Sequence, residues 1–100
     1  MKIILGNPGS GKTKELLSLS AEKNVAILCE SEARVERLLV KAQGYGYHIP
    51  TPVTLENVST VKEVIIDDVE RFFSQALNVK LEALSVNRDK TVIIEDLDKK

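Results

Sequence analysis

Ile3-Ile4-Leu5 runs directly into Gly6-Asn7-Pro8-Gly9-Ser10-Gly11-Lys12-Thr13. The apolar run, ended by glycine, reads as a short buried strand. Lys12 to Glu22 follows with Leu16, Leu17, Leu19 and Ala21 at roughly helical spacing, and Asn24 stops it. A glycine-rich loop set between a strand and a helix has a definite chemistry. Glycines at 6, 9 and 11 let backbone N–H groups turn inward around phosphate oxygens. The helix points its positive N-terminus at the same anion. Lys12 reaches the β- and γ-phosphates of a nucleoside triphosphate, and the Thr13 hydroxyl is a ligand for Mg²⁺. The expected nucleotide-binding set is therefore Asn7, Pro8, Gly9, Ser10, Gly11, Lys12 and Thr13, with ATP and Mg²⁺ as the cofactors. The bland alternative is a glycine-rich turn with no ligand.

Working outward, Val25-Ala26-Ile27-Leu28-Cys29 is a second buried strand. Ser31 caps a helix to about Gln43 whose core face is Ala33, Val35, Leu38, Leu39 and Ala42, and Gly44 ends it. Tyr45 to Pro52 is loop. Val53 is a strand of one or two residues, and Thr54 an N-cap for a short helix through Asn57 and Val58. Val64-Ile65-Ile66 is a buried strand, and Val69 to about Leu77 a helix with Phe72, Phe73 and Ala76 inward. Val79 to Val86 alternates as a strand does, and Thr91 to Glu95 is the last strand. Strands alternating with helices argue a parallel sheet with right-handed crossovers. Only Asn87-Arg88-Asp89-Lys90 joins the last two strands, far short of a parallel crossover of a dozen or more residues. Thr91–Glu95 is thus expected to run antiparallel to Val79–Val86, as an edge hairpin.

Val64-Ile65-Ile66-Asp67-Asp68 carries the second chemical signal. An apolar strand ending in an acid at the C-terminal end of the sheet places a carboxylate where it holds Mg²⁺ directly or through the ion's own ligands. Asp67, which directly follows the strand, is the expected metal partner together with Thr13. Either Asp67 or Asp68 can alternatively serve only as the cap of the helix from Val69.

The chain has 100 residues, 43% hydrophobic and 29% charged, with a net charge of −1. This fits one globular domain spanning residues 1–100. A near-neutral total leaves no electrostatic footprint for tight nucleic-acid binding, although a local basic patch is compatible with it. A single cysteine, Cys29, excludes an internal disulfide framework and a cysteine-based zinc site, and reads as a small buried residue at a strand end. No apolar run approaches the ~20 residues that span a bilayer. The start is too short for a signal peptide. The chain is expected to be intracellular, in the cytoplasm, with no membrane partner.

With both motifs placed, the chain resembles a P-loop NTPase of the RecA-like, additional-strand type, and within it the first half of a superfamily-one helicase core. Gly6–Thr13 is similar to the nucleotide loop. Ile27-Leu28-Cys29-Glu30-Ser31 resembles the strand and helix start that follow. Thr51-Pro52-Val53-Thr54-Leu55 resembles the short strand that reaches toward nucleic acid. Val64–Asp68 resembles the Walker B strand, with Asp68 at the position of the water-activating acid. More loosely, the chain is similar to small P-loop ATPase-like proteins of phages and prophages. The resemblance implies an α/β, three-layer P-loop core of minimal size, mainly parallel. It also implies Lys12 and Asp68 as catalytic residues. The departures are specific. Asp68 stands where those helicases place Glu, and only Ser85 and Asn87 stand where they carry a glutamine sensor. The 100 residues hold no second RecA-like domain and no Asn-Lys-x-Asp motif, and leave little room for the lid of a nucleotide kinase.

The expected function is an ATP–Mg²⁺ module with weak or partner-dependent hydrolysis, in phage or mobile-element DNA metabolism. The competing expectation is a nucleotide-dependent interaction module without useful turnover. RecA-like modules usually receive a γ-phosphate arginine from a neighbour, so self-association or a protein partner is expected to complete the site. Arg34, Arg37, Arg71 and Arg88 are the arginines available as fingers in trans, Arg88 the best placed; as surface residues they are otherwise simply solvated. Tyr45, Tyr47 and His48 either stack on bases or pack within their loop. Glu95-Asp96-Leu97-Asp98-Lys99-Lys100 reads as a solvated tail.

Overall fold

Apolar runs become strands, and the stretches with leucine at helical spacing become helices. The order is β1 (Lys2–Leu5), α1 (Lys12–Lys23), β2 (Ala26–Leu28), α2 (Glu32–Tyr45), β3 (Val64–Ile66), α3 (Val69–Leu77) and β4 (Ile93–Asp96), with a 3-10 turn at Val58–Thr60. The structure, a computed structural model, describes residues 1–89 and 91–98.

Local chemistry sets the helix ends. Ser31 caps α2, its side chain accepting the Arg34 N–H at 3.2 Å. The helix runs through Gly44, where it was expected to stop. The left-handed position falls instead on Gly46, with φ of 77°. There the Gly46 N–H donates to Gln43 O and the Tyr47 N–H to Ala42 O, which satisfies the last carbonyls and turns Tyr47 onto the core. Thr54 does not cap a helix. Its N–H donates to Asn57 Oδ1 at 2.8 Å, and the 3-10 turn begins after Asn57.

The sheet structure is parallel throughout the described strands. β2 pairs with β3 in the register Ala26↔Val64 to Leu28↔Ile66. Val53 bridges Leu28 in parallel, with the Cys29 N–H donating to Val53 O and the Val53 N–H to Ile27 O, both at 2.8 Å.

The expected C-terminal hairpin is overturned. β4 runs parallel to β1, from Lys2↔Ile93 to Leu5↔Asp96, and Val79–Val86 forms no strand. Val79, Leu84 and Val86 all remain exposed, so their alternation finds no face to pack against. The connection between the paired strands β1 and β4 then holds α1, β2, α2, β3 and α3, far longer than the minimum that parallel pairing needs. Of the residues assigned to the hairpin turn, Lys90 lies outside the described residues. The solvated tail is also corrected in part. Glu95 and Asp96 belong to β4, and the Leu97 N–H donates to Leu5 O at 2.8 Å. Lys99 and Lys100 lie outside the described residues.

Alternation along β2 divides the core. Ile27 and Cys29 join Leu17 of α1 and Val35, Leu38 and Ala42 of α2 in one buried cluster. Ala26 and Leu28 join Val53 and Phe72 of α3 in another. The two faces of one short strand thus carry helices on either side. The β1–β4 pair is far less covered, with Ile93 and Ile94 58% and 64% exposed.

Burial, not position on a helix, sets the cost of truncation. Leu38 is 1% exposed and Val40 67%, two residues apart on α2. Leu38→Ala is expected to lower unfolding stability by about 3 kcal/mol, and Val40→Ala by no more than about 0.5 kcal/mol. Urea denaturation of both variants checks this, and equal losses would contradict the packing described.

Candidate functional site

Parallel pairing sends the segments that follow β1 and β4 out at one end of their sheet, and those that follow β2 and β3 out at one end of theirs. Side chains from the segments after β1, β2 and β3 meet. The Thr13 hydroxyl, at the start of α1, donates to Asp67 Oδ2 at 2.8 Å. The Arg34 guanidinium, from the first turn of α2, donates to the same oxygen at 3.0 Å. The Asp67 side chain is 7% exposed and that of Arg34 15%. A carboxylate this buried needs its charge matched, and the guanidinium does so.

The Gly6–Thr13 loop is shaped by its glycines. A Cβ on Gly6 would lie 2.2 Å from Ser10 Oγ and 3.1 Å from Ser10 Cβ, so a larger residue there would force the Ser10 side chain to move. Gly11 precedes α1 at φ of 95° and offers no side-chain cap. The first-turn N–H groups of α1 have no partner within the helix, and the first helical bond is Glu15 N–H to Gly11 O at 3.0 Å. Lys12 folds back over the loop, its ammonium donating to Gly6 O at 2.7 Å and Asn7 O at 2.9 Å. Ser10 Oγ is buried without a hydrogen-bond partner. The loop therefore combines unmatched amide donors with a lysine held only by its carbonyls, an arrangement that suits a polyanion. Across the loop, the Asn7 N–H donates to the carboxylate of Asp98, just past β4.

The pair at the end of β3 splits into two roles. Asp67 faces Thr13 and Arg34. Asp68 is exposed, holds φ of 59°, and accepts the Arg71 N–H on Oδ1 at 3.2 Å as the cap of α3. Of the residues expected from sequence, Lys12, Thr13 and Asp67 come together with the loop, and Asp68 serves the helix.

Other candidates find ordinary places. Arg71 pairs with Glu30 at 3.4 Å. Tyr47 packs on the core, and Tyr45 lies under the Lys14 ammonium, 5.2 Å from its ring centroid. Cys29 is buried as expected, and burial pushes its thiol up, so it stays protonated. Two surface clefts, of about 270 and 190 Å³, lie away from the loop. One is lined by Glu70, Ser74 and Lys80, the other by Glu30, Thr54 and Glu56.

Sequence reasoning missed Arg34 at Asp67 and Asp98 at Asn7. Arg34 had one local signal, its place three residues after the Ser31 cap on the helix that follows β2; Asp98 had none. Among the described residues no group of three or more His, Cys, Asp or Glu side chains is placed to hold a metal ion, and no helix is long and apolar enough to cross a membrane. The chain matches no protein-family model, no curated protein and no solved structure.

Asp68 combines a cap with a left-handed backbone, and Asn tolerates both. Asp68→Asn is expected to hold stability within about 0.5 kcal/mol, whereas Asp68→Ala loses about 1–2 kcal/mol. Thermal unfolding of the two variants decides it, and indistinguishable midpoints would remove the cap from the account.

Proposed function

We propose that Gly6–Thr13 is a P-loop that binds the phosphates of ATP, and that this chain is a minimal RecA-like P-loop NTPase module. The observation that carries this is the hydrogen bond from Thr13 to Asp67, residues far apart in sequence, one at the start of α1 and the other just past β3. It joins the hydroxyl that a P-loop presents to a metal with the acid that follows another apolar strand. The pairing supports the same reading. In the additional-strand type, one strand lies between the P-loop strand and the acid-bearing strand. The pairs β1–β4 and β2–β3 are two of the three that an order β1–β4–β3–β2 requires; the described strands form two separate two-stranded sheets, with no β4–β3 pair among them. The helices on either side of β2 fit a three-layer core.

The residues fit a magnesium ion of the kind that relies on substrate phosphates. Mg²⁺ is commonly held by one or two protein oxygens plus phosphates and water rather than by a full protein cage. Thr13 Oγ1 and Asp67 would hold it, and Gly6 leaves the space that the loop needs. Bound there, the ion would neutralise charge on the β- and γ-phosphates. Lys12 would leave the carbonyls of Gly6 and Asn7 for the phosphates, and the amides of the loop and of the first turn of α1 would donate to their oxygens.

Hydrolysis by this chain is slow. Its one acid beside Asp67, Asp68, is engaged as a helix cap and is a methylene shorter than glutamate, so water is poorly oriented for attack. That same observation favours the second reading, a module that binds nucleotide to assemble or signal. Phosphate release by wild type and Asp68→Asn separates the two: a slower variant supports an ATPase role for Asp68, and equal rates support the binding module.

ATP with Mg²⁺ is expected to raise the melting temperature, because ligand bound to the native state stabilises it as RT ln(1 + [L]/Kd). Adenosine, lacking phosphates, is expected to leave it unchanged. Lys12→Ala should melt like the free wild type and lose the ATP shift. An equal shift with adenosine, or a full shift in Lys12→Ala, would contradict phosphate binding at this loop.

A further inference from the structure

Arg34 is not needed to start α2 or to pack it. The helix is capped by Ser31 and anchored by Val35, Leu38 and Ala42. Its guanidinium instead reaches to the end of β3, where Asp67 Oδ2 accepts from it and from the Thr13 hydroxyl at once. Arginine is always charged and presents a planar fork suited to carboxylate and phosphate alike. The oxygen it holds is the one that a P-loop reading assigns to the metal side of the site. A divalent cation arriving at Thr13 would repel the guanidinium and compete for the same carboxylate. The side chain can then turn while its backbone N–H stays fixed on Ser31 Oγ. Once Asp67 is neutralised, a phosphate that accompanies the metal would be an acceptor suited to its charge.

Resting on the nucleotide reading above, we propose that Arg34 is the chain's own γ-phosphate reader. It holds Asp67 in the nucleotide-free protein, and it passes to the terminal phosphate of a nucleoside triphosphate when a divalent cation takes up the charge of Asp67. A diphosphate offers no γ-phosphate, so with ADP the guanidinium has no terminal phosphate to pass to and shares Asp67 with the cation. Arg34 thereby sets preference for triphosphate over diphosphate, a specificity role built into one chain. A neighbour's arginine is then not required at the γ-phosphate. Arg71 is tied to Glu30, and Arg37 and Arg88 are exposed, so among the described arginines Arg34 is the one seated at Asp67. Metal and triphosphate also become coupled, because each favours the arrangement the other needs.

The test is calorimetric titration of wild type, Arg34→Gln and Arg34→Lys with ATP and with ADP, each with Mg²⁺. Arg34→Gln is expected to weaken ATP by about tenfold, as loss of a hydrogen bond to a charged group does, and to leave ADP within about twofold. Arg34→Lys is expected to fall between. Equal weakening of ATP and ADP, or of neither, would overturn the inference while leaving the nucleotide site standing. Wild type that binds neither nucleotide would overturn both. Because Arg34→Gln leaves Asp67 unpaired and can unfold, a second measurement uses wild type alone. The Arg34 Nε–Hε resonance, assigned by its disappearance in Arg34→Lys, is expected to shift much further with a Mg²⁺–non-hydrolysable ATP analogue than with Mg²⁺–ADP. The same response to both would overturn the proposal.

Discussion

Asp67 ties three segments of the chain together through a single carboxylate oxygen. Thr13 donates to it from the start of α1, Arg34 from the start of α2, and its own backbone leaves β3. The carboxylate is almost fully buried, so it depends on both donors for its charge to be tolerated there. Remove the guanidinium and a buried anion faces a hydroxyl alone. Remove the carboxylate and a half-sheltered cation loses its partner. The position of Thr13, and with it the pitch of the Gly6–Thr13 loop, is therefore linked to a residue that lies on a different helix.

Parallel topology is what makes that meeting possible. With β2 and β3 in parallel register, the segments after them emerge together, and the pairing of β4 with β1 brings Asp98 to Asn7 in the same way. β2 carries most of the burial, because its two faces alternate between the α1–α2 cluster and the α3 cluster. The β1–β4 pair leans on backbone pairing and on surface ion pairs such as Lys2 with Glu95 at 2.7 Å, with much less apolar cover. The loop most interesting for function thus hangs from the less protected pair and is steadied through Thr13 by the better packed one.

What could be read from sequence follows a physical rule. Helices and strands with strong local signals were legible: leucine spacing in α1, the Ser31 cap of α2 and the apolar run of β3 all act over a few residues, while the α3 cap, left open between Asp67 and Asp68, fell on Asp68, the residue expected to be catalytic. The failures came from partners distant in sequence. Val79–Val86 alternates correctly but finds no face to bury against, and Ile93–Asp96 pairs with the first strand rather than the preceding segment. Gly44 looked like a stop, yet the left-handed cap fell on Gly46, where the turn carries Tyr47 onto the core. In the site, the glycine–lysine–threonine spacing and Asp67 were visible because each motif is contiguous. The Arg34–Asp67 contact was not, since nothing in the sequence couples the first turn of one helix to the end of a strand 33 residues away.

The central claim is that phosphate oxygens are gripped by the amides of the Gly6–Thr13 loop and the first turn of α1. Amide chemical-shift mapping by ¹H–¹⁵N correlation spectroscopy, during titration with Mg²⁺–ATP, reads those groups one by one. The account predicts that the largest saturable shifts fall on Gly9, Ser10, Gly11, Lys12 and Thr13, with a smaller response at Asp67. Saturation with those amides unmoved, or shifts confined to another face of the molecule, would contradict it.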